Sequence, residues 1–168
     1  MIIAIISDTH DNEANLQLAL RYFSALPIDA LIHCGDITTP ETLALLAHGF
    51  PKQIHAVYGN CDVDRDGFAA MGRQFPHVTL HGDVGETVIG GVQLAFVHYP
   101  QEAKELAATG KYRYVFHGHT HKPWEEKISS CTVLNPGTLA GMWYKATFAL
   151  VDLTTGKAAL KLVERLGE

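Results

Sequence analysis

The sequence predicts an α/β protein with two mixed β-sheets and helices on their outer sides, in one domain over residues 1–168. Two observations carry the prediction. In the first half a short apolar run, a polar loop and a helical pattern recur as a unit, which is how β-α-β connections read. From about residue 78 the texture changes to strand-like runs joined by glycine-bearing turns, with one helix among them. A chain of 168 residues suits a single core that buries roughly two-thirds of its unfolded surface.

The elements follow in order. "IIAII" (2–6) is apolar on both faces, as a strand covered on both sides must be. It reads as a first strand and not as a signal peptide, because it is short and no basic segment precedes it. Asn12 then caps a helix whose buried stripe is Leu16, Ala19, Leu20 and Phe23. "ALIHC" (30–34) is a second strand, and Thr39-Pro40-Glu41 supplies a cap, a proline at the first helical position and an early acid. "IHAVY" (54–58) is a third strand, followed by a helical stretch that Pro76 closes. "VTLHG", "ETVIGGVQLAFV" and "TFALVDLTTGKAALKLVERL" read as hairpins, with Gly90-Gly91 and Thr155-Gly156 at tight turns. A helix over about 101–109 ends at Gly110, and a strand occupies 113–116.

The residues that end these strands carry the chemistry. Asp8 and His10 ("SDTHD") follow the first; Gly35 and Asp36 ("HCGDI") follow the second. Gly59, Asn60, Cys61 and Asp62 ("VYGNCD") follow the third, His98 follows "LAFV", and "HGHTH" (117–121) follows "YVF". Ligands of open α/β sheets bind where loops from neighbouring strands converge at the carboxyl edge. Gly35, Gly59 and Gly118 suit sharp turns or close backbone approach there. Taken singly, D-x-H, a Gly-Asp pair or a lone histidine means little, since each is common in turns and solvated loops. Their joint placement at successive strand ends points to a metal site.

In order, "DTH", "GD", "GNCD", a strand-end His98 and "GHTH" resemble the motif set of the calcineurin-like metallophosphoesterases. "GNCD", "GHTHKP" and "NPGT" (135–138) resemble its small single-domain phosphodiesterases, a fold shared by the vacuolar-sorting subunit of retromer. The resemblance implies a four-layer α/β/β/α sandwich with a two-metal site. It implies that Asp8, His10 and His121 hold one metal, that Asn60, His98 and His119 hold the other, and that Asp36 bridges both. His117 falls outside that pattern, in a supporting position. Mixed imidazole, carboxylate and amide donors suit manganese first, with nickel, iron or zinc as alternatives. The expected reaction is attack of a metal-bridging hydroxide on phosphorus in a small phosphodiester, since two ions about 3.5–4 Å apart acidify a shared water. A phosphomonoesterase, or a catalytically silent binding module like the retromer subunit, is the alternative. The lack of G-x-S-x-G and P-loop motifs accords with chemistry that uses no nucleophilic side chain.

Two departures from the family pattern matter. Cys61 stands where many relatives have a histidine that serves the leaving group, so either good leaving groups are favoured or Asp62 or a metal-bound water is expected to assist. Tyr99 stands where glycine is common and is expected to be a packed aromatic, with a wall at the mouth as the alternative. Trp124 and Trp143 are expected in the core or at an interface.

Composition narrows the partners. Net charge is −5, the pI is near 6.0 and no Lys/Arg-rich run occurs, so a long nucleic acid is not expected. No apolar run approaches the roughly 18 residues of a membrane span. Cys34, Cys61 and Cys131 form no C-x-x-C pair and read as reduced thiols of a cytoplasmic protein. Hairpin edges make a homodimer or higher homo-oligomer an expectation.

Overall fold

A computed structural model describes residues 1–167. In chain order the elements are β1 (Ile2–Ile6), α1 (Glu13–Ser24), β2 (Ile28–His33), α2 (Pro40–Gly49), β3 (Gln53–Ala56), α3 (Arg65–Gly72) and β4 (Val78–Leu80). There follow β5 (Val84–Ile89), β6 (Val92–Val97), α4 (Pro100–Ala108), β7 (Tyr114–Phe116), β8 (Trp124–Ile128), β9 (Cys131–Asn135), β10 (Thr147–Asp152) and β11 (Lys157–Leu162). One sheet has the order β11-β10-β1-β2-β3-β4 and the other β5-β6-β7-β9-β8.

The pleat of β1 explains the layering. Alternate side chains leave a strand on opposite faces. Ala4 and Ile6 pack with Leu16, Leu20 and Phe23 of α1 and Leu46 of α2. Ile3 and Ile5 pack between the sheets against Leu94, Phe96 and Phe116. On the far side of the second sheet, Ala95, Val97, Val115 and Val133 cover Ala103 and Ala107 of α4. The result is the expected α/β/β/α order, with apolar cores at all three layer contacts. Each fully buried Ile, Leu or Phe contributes about 1.5–3 kcal/mol, so the apolar alternation is what holds the sheets face to face. Among the described residues no helix is long and apolar enough to cross a membrane.

Local signals act as the sequence suggests. The Asn12 carboxamide accepts from the Asn15 N–H at 3.1 Å, and Thr39 Oγ1 accepts from the Thr42 N–H at 3.4 Å with Pro40 in the first turn. Gly90 and Gly91 turn β5 into β6 with φ of 58° and 78°, the mirror-image turn that matches strand twist.

Several expectations are corrected. β2 begins at Ile28, two residues before "ALIHC", because Ile28 pairs in register with Ile2. β3 ends at Ala56, although the Val57 N–H still donates to the His33 carbonyl at 3.1 Å. α3 stops at Gly72, short of Pro76, where the Gln74 and Phe75 amides turn back onto Met71 and Gly72. "VTLHG" is no hairpin arm: β4 pairs parallel with β3 at the sheet edge, with Val78 and Leu80 packed against the α2/α3 core. The β8–β9 hairpin was not expected. Its outer strand, "WEEKI", is largely exposed and polar, and its turn is Ser129-Ser130, with Ser129 at φ 55° and no glycine to mark it.

Candidate metal centre

β1, β2 and β3 run parallel in one sheet, as do β6, β7 and β9 in the other. Their carboxyl ends therefore share an edge, and loops after five of them meet there. The loops are tied backbone to backbone. The Asp8 N–H donates to the Gly35 carbonyl at 3.0 Å, that of His10 to Asp36 at 3.0 Å, and that of Gly118 to His98 at 3.0 Å. Gly118 has no spare room, since a Cβ there would lie 1.9 Å from Ser7 Oγ and 2.7 Å from Asp8 Oδ2.

The polar atoms gather in two groups. In one, His121 Nε2 lies 3.3 Å from Asp8 Oδ1 and 3.2 Å from His10 Nε2. In the other, Asn60 Oδ1 lies 3.1 Å from both His98 Nε2 and His119 Nδ1, which are 3.2 Å apart. Asp36 stands between them, its Oδ2 3.6 Å from His10 Nε2 and 3.5 Å from His98 Nε2. Every residue named from sequence as a metal ligand is thus at this edge. Cys61 joins them unforeseen, with its thiol within 4.8 Å of ligand atoms of His10 and Asp36.

The hydrogen bonds on the far side of each ring decide what faces inward. His98 Nδ1 lies 2.9 Å from the Cys34 carbonyl and His121 Nδ1 lies 3.3 Å from the Met142 carbonyl. A carbonyl only accepts, so both Nδ1 atoms carry the proton and both Nε2 atoms of the neutral rings present lone pairs. These lone pairs point at other acceptors, Asn60 Oδ1 and the carboxylates of Asp36 and Asp8. Convergent acceptors at 3.1–3.5 Å repel one another unless a cation or a proton lies among them. The donor set therefore fits metal ions: two carboxylates, one amide oxygen and four imidazoles, two of which have their second nitrogen oriented by a backbone carbonyl.

The same convergence shows in the charge states, because the carboxylates favour a second proton on the rings that face them. Burial by itself would raise the Asp36 carboxyl, but the His98 ring and the Cys61 N–H at 2.8 Å take it down to about 2. His98 is drawn down by burial and more strongly up by Asp36, for a net rise. His121 is raised by its bond to Asp8, whereas burial and the neighbouring His98 lower His119. Asp8, His10, Asp36, His119 and His121 all have left-handed backbones, with φ of 53°, 41°, 58°, 70° and 59°. Each such non-glycine residue costs on the order of 1–3 kcal/mol, and such strain clusters at functional sites.

Some residues lie elsewhere than expected. Asp62 does not face the open site. It is 1 % exposed, and its carboxylate accepts backbone N–H bonds from Gly59 at 2.7 Å, Asp36 at 2.8 Å and Thr38 at 2.7 Å. Burial raises its carboxyl against those three amides. A carboxylate so engaged clamps the Asp36 and Asn60 loops together, and the expectation that it protonates a leaving group is corrected on access. Tyr99 is not packed inside: it is 38 % exposed, edge-on to His98 and His119 with centroids 5.1 and 4.7 Å away. Nor are Trp124 and Trp143 in the core, at 53 % and 81 % exposed.

A profile of the calcineurin-like phosphoesterase superfamily domain matches residues 1–156. The chain belongs to this superfamily. It is a phosphoester hydrolase of the metal-dependent kind. A relative from Methanocaldococcus jannaschii, named a phosphodiesterase, is 29% identical over 143 residues, covering 84% of this chain and 86% of its own. The structure of an archaeal phosphodiesterase matches with a TM-score of 0.89 at 26% identity, over 96% of this chain and 99% of that one. Vps29 from Entamoeba histolytica matches at 0.71 with 18% identity, over 96% and 97% of the two chains, which establishes the shared fold.

One support of this phosphoesterase's site escaped the sequence reading. His33 is buried, with Nε2 2.8 Å from Thr9 Oγ1 and Nδ1 accepting from the Gly35 N–H at 3.2 Å. Burial holds it neutral, at about 3. It sits one residue before the "CGD" turn, where only its strand position marked it. Asn135 donates to the Gly118 carbonyl at 2.9 Å and to Thr120 Oγ1 at 3.0 Å, while Thr138 Oγ1 donates to the Asp8 carbonyl at 3.0 Å. The "NPGT" turn thus fixes two ligand-bearing loops at once. His117 is buried beside it, its Nδ1 3.2 Å from the Gly118 carbonyl.

Proposed function

We propose that this phosphoesterase is a phosphodiesterase that works with two divalent transition-metal ions, manganese first and nickel, iron or zinc otherwise, on small phosphodiesters, and that residues 1–168 form its one domain. The observation that carries the reading is the pair of acceptor groups converging on either side of Asp36. Asp8, His10 and His121 would hold one ion, Asn60, His98 and His119 the other, and Asp36 both. When bound, such ions acidify water and neutralise the charge that grows on the phosphoryl oxygens.

The remaining work falls to the chain. Two carboxylates against two divalent cations leave the centre net positive, which favours an anionic ester; the neutral Asn60 amide preserves that excess where a carboxylate would reduce it. The Cys34 and Met142 carbonyls orient the imidazoles, and the Asp62 clamp sets the spacing between Asp36 and Asn60. Among the described residues no side chain is well placed to protonate a departing alkoxide. The Cys61 thiol, pushed up to about 11 by burial and by Asp36, is a weak acid, so esters with good leaving groups are preferred. The names of the archaeal relatives support diesters over monoesters.

The test is hydrolysis of bis-p-nitrophenyl phosphate and p-nitrophenyl phosphate by metal-stripped protein, with manganese, nickel, zinc or magnesium restored singly. Diester turnover recovered by a transition metal, and exceeding monoester turnover, is expected. A larger monoester rate would make the protein a phosphomonoesterase, and no turnover with any metal would favour a binding module.

A further inference from the structure

The centre is flanked by two aromatic side chains that folding does not account for. On the Asn60 side, Tyr99 stands edge-on to His98 and His119. Beyond it lies a cleft of about 280 Å³ lined by Tyr58, Asn60, Arg65, Asp83, Tyr99 and Glu102. The guanidinium of Arg65 lies over the Tyr58 ring at 4.8 Å and pairs with Asp83, so a planar, ordered surface continues past Tyr99. On the Asp8 side, the Trp143 ring is 4.8 Å from His121, tilted by 45°.

Trp143 is the more telling of the two. It is 81 % exposed and has φ of 60°. A bulky residue in the left-handed region is a true outlier, and an exposed ring gains little burial to offset the strain. Its loop is nonetheless tied to the centre, because the preceding residue's carbonyl orients His121. A strained, anchored and uncovered indole at the mouth has the form of a stacking surface awaiting a ligand.

We propose that Tyr99 and Trp143 are the specificity-determining walls of the site, each taking one planar aromatic ester group of a phosphodiester. This rests on the phosphodiesterase reading and gives it a substrate class: diesters carrying an aromatic group, such as an aryl ring or a nucleobase, on each side of phosphorus. The cleft's three charged residues sum to −1 (Arg65 against Asp83 and Glu102), so the group beyond Tyr99 is uncharged or cationic and not a second phosphate.

Kinetics on bis-p-nitrophenyl phosphate and methyl p-nitrophenyl phosphate test this. Tyr99→Ala and Trp143→Ala each raise KM for the bis-aryl ester about five- to tenfold, the size of one lost stack, with kcat little changed. For the methyl ester, which has one ring, only one of the two variants raises KM. Tyr99→Phe restores binding, and Trp143→Phe restores most of it. An unchanged KM in both alanine variants, or equal losses on the two esters, overturns the proposal. So does dissociation of an oligomer by Trp143→Ala with KM intact, which would assign the loop to a self-interface. A binding measurement separates this proposal from the underlying one. In Trp124→Phe protein Trp143 is the sole tryptophan, and bis-p-nitrobenzyl phosphate, a poorly leaving diester, quenches its fluorescence saturably with manganese present. If wild-type protein hydrolyses no ester, the phosphodiesterase reading fails while quenching still tests the walls; absence of quenching overturns them.

Discussion

At the scale of single residues, Asp62 shows how a carboxylate beside a reaction centre can be structural. Its three backbone donors include the amide of Thr38, a β-branched residue at φ 90°, which has few other ways to stay there. Asp62→Asn puts an NH2 group among N–H donors and leaves at least one buried donor unmatched, a loss of about 1–3 kcal/mol, read as a lower Tm. Its activity loss is expected to be the same factor for p-nitrophenyl and alkyl leaving groups. A loss much larger on the alkyl ester would return Asp62 to the role of proton donor. His33 gives a second prediction. Its folded pKa of about 3 lies below the ordinary 6.5, so between those values the unfolded chain holds a proton the folded one lacks. Stability therefore rises with pH across that window, is complete above 6.5 and is lost as pH falls towards 3. In metal-free protein His33→Gln is expected to reduce the slope of stability against pH there by about one proton; an unaltered slope would contradict the assignment.

At the scale of elements, the contact between the β1 and β7 loops is the tightest point of the site. Gly118→Ala drives a methyl into Ser7 Oγ and Asp8 Oδ2 and must part the two sheets at their ligand-bearing edge. We expect at least tenfold lower activity and a destabilisation of about 1–3 kcal/mol, measured by metal-restored diester hydrolysis and denaturant unfolding. Normal activity would mean that the loops tolerate separation. The elements that build this edge were legible because their signals are local: alternate apolar faces in β1, capping at Asn12 and Thr39, the Gly90-Gly91 turn. The residues proposed as ligands could be grouped from the sequence because each lies within five residues of the end of a strand. What was hidden lacks a local mark. β8 is polar and exposed, β4 takes its place by pairing with a distant β3, and Asp62 looks like any acid in a turn until its three amide partners are in view. Tyr99 was misjudged, and Trp143 as a core residue, because large aromatics are ordinarily buried, and only the fold reveals where a loop leaves them uncovered.

At the scale of the whole molecule, the centre straddles two sheets, so ligand and fold are coupled. Ions that bind only the folded chain stabilise it by about 2.7 kcal/mol at a hundredfold excess over Kd. Chelation is therefore expected to lower Tm, and re-addition of manganese to restore it. Both states are expected to melt in one transition, coincident by circular dichroism and calorimetry, as one cooperative domain does. Two separable transitions would divide the sheets into independent units.

The β10–β11 hairpin gives the molecule a history as well as a shape. β10 lies antiparallel to β1, Ile3 opposite Val151, and the amides of Leu139 and Ala140 hold the carbonyls of Ser7 and Asp8. β1 thus waits for a strand about 145 residues further along the chain before its surroundings are complete. At about 5–20 residues per second of synthesis, that wait is many seconds. For most of it Asp8 and His10 exist without the loop that carries His119 and His121. Until that loop and β10 have been made, a nascent chain has no complete pocket to offer an ion, and a chain stalled before them is expected to bind no metal.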